Sequence, residues 1–304
     1  MRIFMLGASG TIGRATLAEL TSRGHEVFCF GRAQGDVTDL HSIERDGFRG
    51  QSFDAVVSCM ASRNGLPRDA WAIDHRAHSL VLQAAKAAGV KHFVLLSAIC
   101  VQQPKLAFQH AKLAFEAELI ASGLAYSIVR PTAYFKSLSG QVARVMKGKP
   151  YLIFGDGCLT RCKPISDQDL ARYLCNCLDD EKLKNKILPI GGPGEASSPR
   201  EQGEDLFELL GKPAKFRAVP VALMSGIIFL LSILGRVFPR LAEKAEMARI
   251  GHYYATESML LWNAATQSYD AEATPAFGTD TLKDFHRKII SGDAKIDLGE
   301  HAVF

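Results

Sequence analysis

MRIFMLGASGTIG, residues 1–13, decides how this chain is read. Arg2 to Leu6 is a short apolar run of the kind a parallel sheet buries. Gly7, Gly10 and Gly13 follow, and a helical pattern then runs from Ile12 to Leu20. A buried strand that turns through glycines into a helix is the physical recipe for a pyrophosphate site. Gly7 permits the tight turn, Gly10 lets backbone N–H groups approach the phosphates, and Gly13 lets the helix pack close to the strand. The helix N-terminus adds partial positive charge. With Ser9, Thr11 and Ile12, these glycines are expected to hold a dinucleotide.

Strand and helix alternate outward from that turn. Glu26–Phe30 (EVFCF) reads as a second strand, ending at Gly31-Arg32. Sites that prefer NAD place an acidic residue near this point, on the ribose hydroxyls. Here Arg32 follows instead, and a guanidinium suits a 2′-phosphate, so the pattern favours NADPH. Asp36 is placed to accept from an adenine amino group, and Val37 to pack on the ring. Asp39 reads as the N-cap of a short helix around Ser42. Residues 53–59 (FDAVVSC) form a third strand, 91–97 (KHFVLLS) a fourth and 125–129 a fifth, closed by Arg130-Pro131. Helical patterns span 68–88 and 105–122. This alternation, without an internal repeat, predicts an α/β fold with a doubly wound, mostly parallel Rossmann sheet.

After Pro131 the rhythm loosens. A strand at Tyr151–Phe154, a turn at Gly155-Asp156-Gly157 and a helix over 166–178, capped by Ser166 or Asp167, are expected. A strand at 187–190 and a helix from Ser198-Pro199 to near Gly211 follow. A boundary near residue 135 would separate a cofactor domain (1–135) from a smaller, mainly helical substrate lobe (136–304), with later segments returning to the main sheet. Residues 218–235 form an uncharged stretch of eighteen. Its helical part, Val221 to Leu234, would be about 21 Å long at 1.5 Å per residue, short of a bilayer core. It reads as lining an apolar site or resting on a membrane surface, with a buried core helix as the alternative.

Composition narrows the function classes. The chain has 304 residues, 47% of them hydrophobic, enough for a substantial core. Its net charge of +4 comes without a dense Lys/Arg run, which suits an anionic small ligand and argues against nucleic acid. The seven cysteines are odd in number, and three lie in or beside strand-like runs, so reduced thiols in the cytoplasm are expected. Cys158, Cys162, Cys175 and Cys177 lack metal-ligand spacing, and no metal is expected. No signal peptide is visible before the first strand.

The reaction turns on the helix after the fourth strand, which reads Phe108-Gln109-His110-Ala111-Lys112. In short-chain dehydrogenases a Tyr four residues before the Lys moves the proton, while the Lys binds nicotinamide ribose. Here Lys112 is present and Phe108 replaces the tyrosine. Ser97 ends the fourth strand and joins the cofactor set, but Ile99 and Cys100 follow where a hydroxyl would be expected. Carbonyl–alcohol chemistry of the usual kind is therefore disfavoured. Lys112 is the catalytic candidate, as ribose anchor, proton donor or both; an i,i+4 pair with Glu116 is its bland alternative. The chain either reduces a conjugated C=C bond or binds NADP(H) without turnover. Tyr134 and Phe135, with Phe108, are the substrate candidates, because they fall where nicotinamide and substrate meet. His110, Lys136 and Arg161 are weaker ones.

Longer strings are more specific: SCMASR (58–63), WAID (71–74), HFVLLSAICVQ (92–102), YSIVRPTAYFKSLSGQV (126–142), FGDG (154–157) and CKPIS (162–166). LPIGGPG (188–194), GHYYATESML (251–260), FGTDTL (277–282) and HAVF (301–304) continue them. On these, almost the whole chain resembles the NADPH-dependent, metal-free divinyl chlorophyllide a 8-vinyl reductases. These are atypical short-chain dehydrogenases near the NmrA-like and isoflavone-reductase-like groups. The resemblance implies reduction of the C8 vinyl group of divinyl chlorophyllide or protochlorophyllide to ethyl, in (bacterio)chlorophyll synthesis. Lys112 matches the family's lysine, and no motif fixes the proton donor. The missing transit-peptide-like extension points to a bacterial rather than a plastid-targeted protein; the thiols and the uncharged helix set the expectation of a cytoplasmic protein peripheral at a membrane surface. An NmrA-like NADP(H)-binding regulator and a reductase of another conjugated substrate remain the alternatives.

Overall fold

Apolar and β-branched runs form six parallel strands in the structure, a computed structural model that describes residues 1–294. The HAVF string lies outside the described residues. In chain order the first seven strands of the chain are β1 (Arg2–Leu6), β2 (Glu26–Phe30), β3 (Ala55–Ser58), β4 (His92–Leu96), β5 (Ala125–Pro131), β6 (Tyr151–Phe154) and β7 (Lys186–Ile190). All but β6 join one sheet, ordered β2-β1-β3-β4-β5-β7 and parallel throughout. Leaving β1, the chain goes first to β2 on one side and then to β3 on the other. The sheet's winding therefore reverses at β1 and β3, and ligands of such sheets bind at the carboxyl ends of strands at that reversal.

The inner strands β1, β3 and β4 are buried along nearly their whole length, as parallel strands covered by helices must be, while the edge strands β2 and β7 are partly exposed. On one face Phe4 stacks on Phe48 at 4.3 Å and meets Phe53 edge-on at 5.4 Å. Val81 and Ala85 of the His78–Ala87 helix and Phe115 and Leu119 of the Ala107–Ala121 helix close the same cluster. The Thr11–Ser22 and Asp167–Asp179 helices pack together as a second pair.

The chain divides into two units. The first holds residues 1–131 and takes back 167–190, which supply β7. The second holds 132–166 and the chain from Gly191 onward. Within the second unit, β6 pairs in parallel with β8 (Phe216–Val219) over a small apolar cluster that includes Val145, Ile153 and Leu206. Helices Pro199–Leu209, Val221–Leu234, Pro239–Thr256 and Leu282–Ser291 supply most of the rest. Ser198 caps the first of these through a reciprocal pair with Glu201.

Two expectations change. The stretch 68–88 is not one continuous α-helix. It runs as Pro67–Ala70, then a wide π-turn over Trp71–Ala77, then His78–Ala87. The extra residue per turn accompanies the burial of Asp74, and such π-bulges are frequent at functional sites. Second, of the two readings of the Val221–Leu234 helix the alternative, a core helix, falls away, since none of its residues is buried. No helix among the described residues is long and apolar enough to cross a membrane.

Candidate cofactor and active site

The glycine turn sits at the carboxyl end of β1, against β3. Gly7 has φ of +74°, which glycine adopts at no steric cost. A Cβ there would also stand 2.5 Å from the Cys59 carbonyl carbon. At Gly13 a Cβ would stand 2.0 Å from the Gly7 carbonyl oxygen, so strand and helix touch only because both residues are glycine. Gly10 differs: a Cβ would find nothing nearer than 3.5 Å. The protein's own packing does not require glycine at that position, which leaves room for a ligand. Gly10 is the N-cap of the Thr11–Ser22 helix, and no side chain caps it. Arg14 donates to the Ser9 carbonyl at 2.7 Å and steadies the loop. Ser9 and Gly10 are exposed, Thr11 half-buried and Ile12 buried beneath them. Backbone, helix terminus and open space here fit a pyrophosphate.

At the end of β2, Arg32 is exposed, and no hydrogen bond or ion pair within the described residues ties its guanidinium. Asp36 Oδ1 accepts from the Thr38 N–H (2.8 Å) and hydroxyl (2.7 Å), which lowers its carboxyl pKa. Val37 is half-buried and packs on the sheet's aromatic cluster. Asp39 caps the following turn by accepting from the His41 and Ser42 N–H groups.

Lys112 points into the first unit and meets Asp74. The Nζ to Oδ1 distance is 2.9 Å, with side-chain exposures of 12% and 0%. The alternative Lys112–Glu116 pair is not formed. Burial alone would raise the Asp74 carboxyl, but the Lys112 charge and the Ser62 N–H hold it below the ordinary carboxylate range. Asp74 Oδ2 is buried and has no hydrogen-bond partner, so Lys112 supplies most of what keeps this anion in the interior. His78 lies beside the pair. Its Nδ1–H donates to the Ile73 carbonyl at 2.8 Å, which leaves Nε2 to accept from the Ser58 hydroxyl at 2.8 Å. Burial, with the Lys112 charge adding to it, pushes His78 down to about 4, so the ring is neutral. A narrow crevice lined by Asp74, His78, Ser97, Lys112 and Phe115 runs between these groups.

Ser97 closes the crevice from the end of β4. Its hydroxyl donates to Glu116 Oε1 at 2.5 Å, and the Arg130 guanidinium grips the same carboxylate with two nitrogens. Glu116 is only 2% exposed. The chain therefore carries two buried ion pairs here, one helical turn apart along the Ala107–Ala121 helix.

The remaining candidates are placed as follows. Phe108 is buried one turn before Lys112. Next to it Gln109 is fully buried, and its side-chain oxygen accepts from the Lys105 and Leu106 N–H groups. That capping starts the helix at Ala107 rather than Lys105. His110 is exposed. Tyr134, half-buried, bridges Ile165 in the second unit. Phe135 is 3% exposed and packs on Phe285, so its ring belongs to that unit's interior. Arg161 is held by the Ala196 carbonyl and Glu201, and Lys136 is half-buried. Sequence reasoning missed Asp74 and His78 beside Lys112, and Arg130 and Ser97 as the partners of Glu116. The WAID and RPT strings that contain Asp74 and Arg130 were the available signal.

A profile of NAD(P)H-binding proteins matches residues 7–181. Divinyl chlorophyllide a 8-vinyl-reductase of Oryza sativa subsp. indica is 46% identical over 99% of this chain and 82% of its own. The Arabidopsis thaliana protein of that name is 47% identical over 99% of this chain and 79% of its own. The chain belongs to the divinyl chlorophyllide a 8-vinyl-reductase family. Among solved structures, an NADPH-dependent quinone oxidoreductase from Escherichia coli complexed with NADPH superimposes with a TM-score of 0.65. It is 17% identical and covers 95% of this chain and 100% of its own, which speaks for the fold alone.

Proposed function

We propose that this chain reduces the C8 vinyl group of divinyl chlorophyllide, or of its protochlorophyllide precursor, to ethyl at the expense of NADPH. The carrying observation is identity of 46–47% along 99% of the chain with reductases named for this vinyl group. NADPH, when bound, supplies the hydride. The chain's own residues bind and orient it. The N–H groups from Ser9 to Gly13 take the pyrophosphate, and Arg32 holds the 2′-phosphate. Asp36 and Val37 flank the adenine. Lys112 has three N–H donors and spends one on Asp74, which leaves two for the nicotinamide ribose. Ser97 supports that end through Glu116.

Phe108 cannot donate a proton, and this substrate does not demand a phenol there. The vinyl group is conjugated with the macrocycle, so the negative charge left by hydride addition spreads over the ring. A C–H bond then forms at the second vinyl carbon with a proton from water or another side chain. Phe108 and Tyr134 are the proposed substrate contacts. Seven cysteines outside any disulfide fit a reducing compartment such as the cytoplasm.

The test is incubation of purified protein with NADPH and divinyl chlorophyllide, following the Soret band and product mass. The expected product gains two hydrogens for each NADPH consumed. Tight NADP(H) binding with no ethyl product would overturn the reading in favour of a nucleotide sensor.

A further inference from the structure

The Val221–Leu234 helix is built inside out for a protein surface. It carries no charged residue, and Ser225 and Ser232 are its only polar side chains. Both are tied to the Pro239–Thr256 helix. Ser225 Oγ meets His252 Nε2 at 3.3 Å, and Arg249 donates to Ser232 Oγ at 2.7 Å. The rest of the helix leaves Leu223, Ile227, Phe229, Leu230 and Ile233 uncovered, with Phe229 69% and Leu230 57% exposed. Val237 (73%) and Phe238 (57%) extend the patch round the turn into the next helix. A contiguous apolar patch of this kind marks a surface that something covers.

Charge indicates what covers it. Residues 211–250 contain seven Lys/Arg and two Asp/Glu, an excess of five, while the whole chain has an excess of four. The chain's positive balance is therefore concentrated around its most apolar helix. Arg217 and Arg236 bound the uncharged stretch, Arg236 and Arg240 are exposed next to Val237 and Phe238 in the chain, and Lys244 is exposed further along the following helix. Apolar side chains flanked by basic ones match the interface of an anionic bilayer, where the former sink among acyl chains and the latter meet lipid phosphates. At about 21 Å the helix is too short to cross a hydrocarbon core of about 30 Å.

We propose that the Val221–Phe238 segment docks this protein on an anionic membrane surface, with the Val221–Leu234 helix lying in the interfacial plane. The proposal stands apart from the reductase reading, because vesicle binding is measured without substrate.

Full-length protein is sedimented with phosphatidylcholine vesicles and with vesicles containing phosphatidylglycerol. The wild type is expected to pellet with the anionic vesicles, and less so in high salt. The Phe229→Ser/Leu230→Ser variant should bind them at least about tenfold more weakly, with NADPH binding unchanged as the sign of an intact fold. Arg236→Glu/Arg240→Glu should weaken binding to anionic vesicles and remove its salt dependence. Wild-type protein left in the supernatant with both vesicle types overturns the proposal. So does unchanged vesicle binding by the folded serine variant. A wild-type dimer that becomes monomeric in the serine variant, without vesicle binding by either, would assign the patch to a second copy.

Discussion

Replacing Lys112 with methionine removes the counter-charge of a carboxylate whose side chain is 0% exposed. Breaking a buried ion pair from one side costs about 3–5 kcal/mol. That is a large part of the roughly 5–15 kcal/mol that holds a domain together. The upper half of the range applies here, because Asp74 Oδ2 already lacks a partner and only the Ser62 N–H at 3.2 Å would remain on Oδ1. The pH dependence has a definite sign. In the wild type the Asp74 carboxyl is held below 3.8, so its stabilising contribution is present above that pH and is lost as pH falls through the lower folded value. In Lys112→Met burial acts unopposed and raises it. The variant's deficit should therefore grow as pH rises from about 4 towards neutrality.

A double variant separates structure from chemistry. Lys112→Met with Asp74→Asn exchanges the buried pair for neutral groups of similar size, and such exchanges are close to neutral. Stability should return to within about 1 kcal/mol of wild type. Turnover should not return. A charge-assisted hydrogen bond to ribose is worth about 1.5–3 kcal/mol, so kcat/KM should stay roughly 10–100-fold down. Urea unfolding can be followed by tryptophan fluorescence, since Trp71 opens the π-turn that carries Asp74. NADPH titration and steady-state rates complete the assay. A single variant destabilised by less than about 1 kcal/mol would refute the buried-pair reasoning. A double variant with wild-type kcat/KM would reduce Lys112 to a structural residue.

The other predictions are shorter. Gly13→Ala puts a methyl 2.0 Å from the Gly7 carbonyl oxygen and should lower Tm sharply. Gly10→Ala meets nothing within 3.5 Å and should leave Tm nearly unchanged while NADPH binding weakens about tenfold or more; unchanged binding would move the pyrophosphate elsewhere. Arg32→Ala should raise KM for NADPH about tenfold or more and leave that for NADH alone; equal effects would take Arg32 off the 2′-phosphate. His78 titrates near 6.5 when unfolded and about 4 when folded. Between those values the unfolded chain binds the extra proton, so stability falls as pH drops through that window. His92 and His286 are pushed to the same value, so His78→Gln should reduce the slope of urea midpoint against pH there without abolishing it. An unchanged slope would mean that His78 is not buried in its neutral form.

What was legible in the sequence was what local sterics decide. Gly7 and Gly13 are needed by the backbone within their own turn, so their spacing announces the strand, the turn and the helix together. The order of strand and helix then leaves few topologies open. The active-site pairs were harder, because the sequence offers a local partner that the fold does not use. Lys112 and Glu116 stand one helical turn apart and would be worth only about 0.2–0.5 kcal/mol as a solvated pair. Glu116 instead lies at 2% exposure, where a carboxylate needs the forked grip of Arg130 and the hydroxyl of Ser97 to offset its lost water. With Glu116 engaged there, Lys112 binds Asp74, thirty-eight residues earlier. Residues 68–88 read as one uniform helix, and the π-turn that brings Asp74 inward accompanies this long-range charge pair. The Val221–Leu234 helix shows the same division. Its composition announced an apolar helix, while its exposure depends on which neighbours the fold supplies. Pattern sets what each segment can be; where a buried charge or an apolar face finds its partner is decided between segments, and that is where the chemistry of this chain resides.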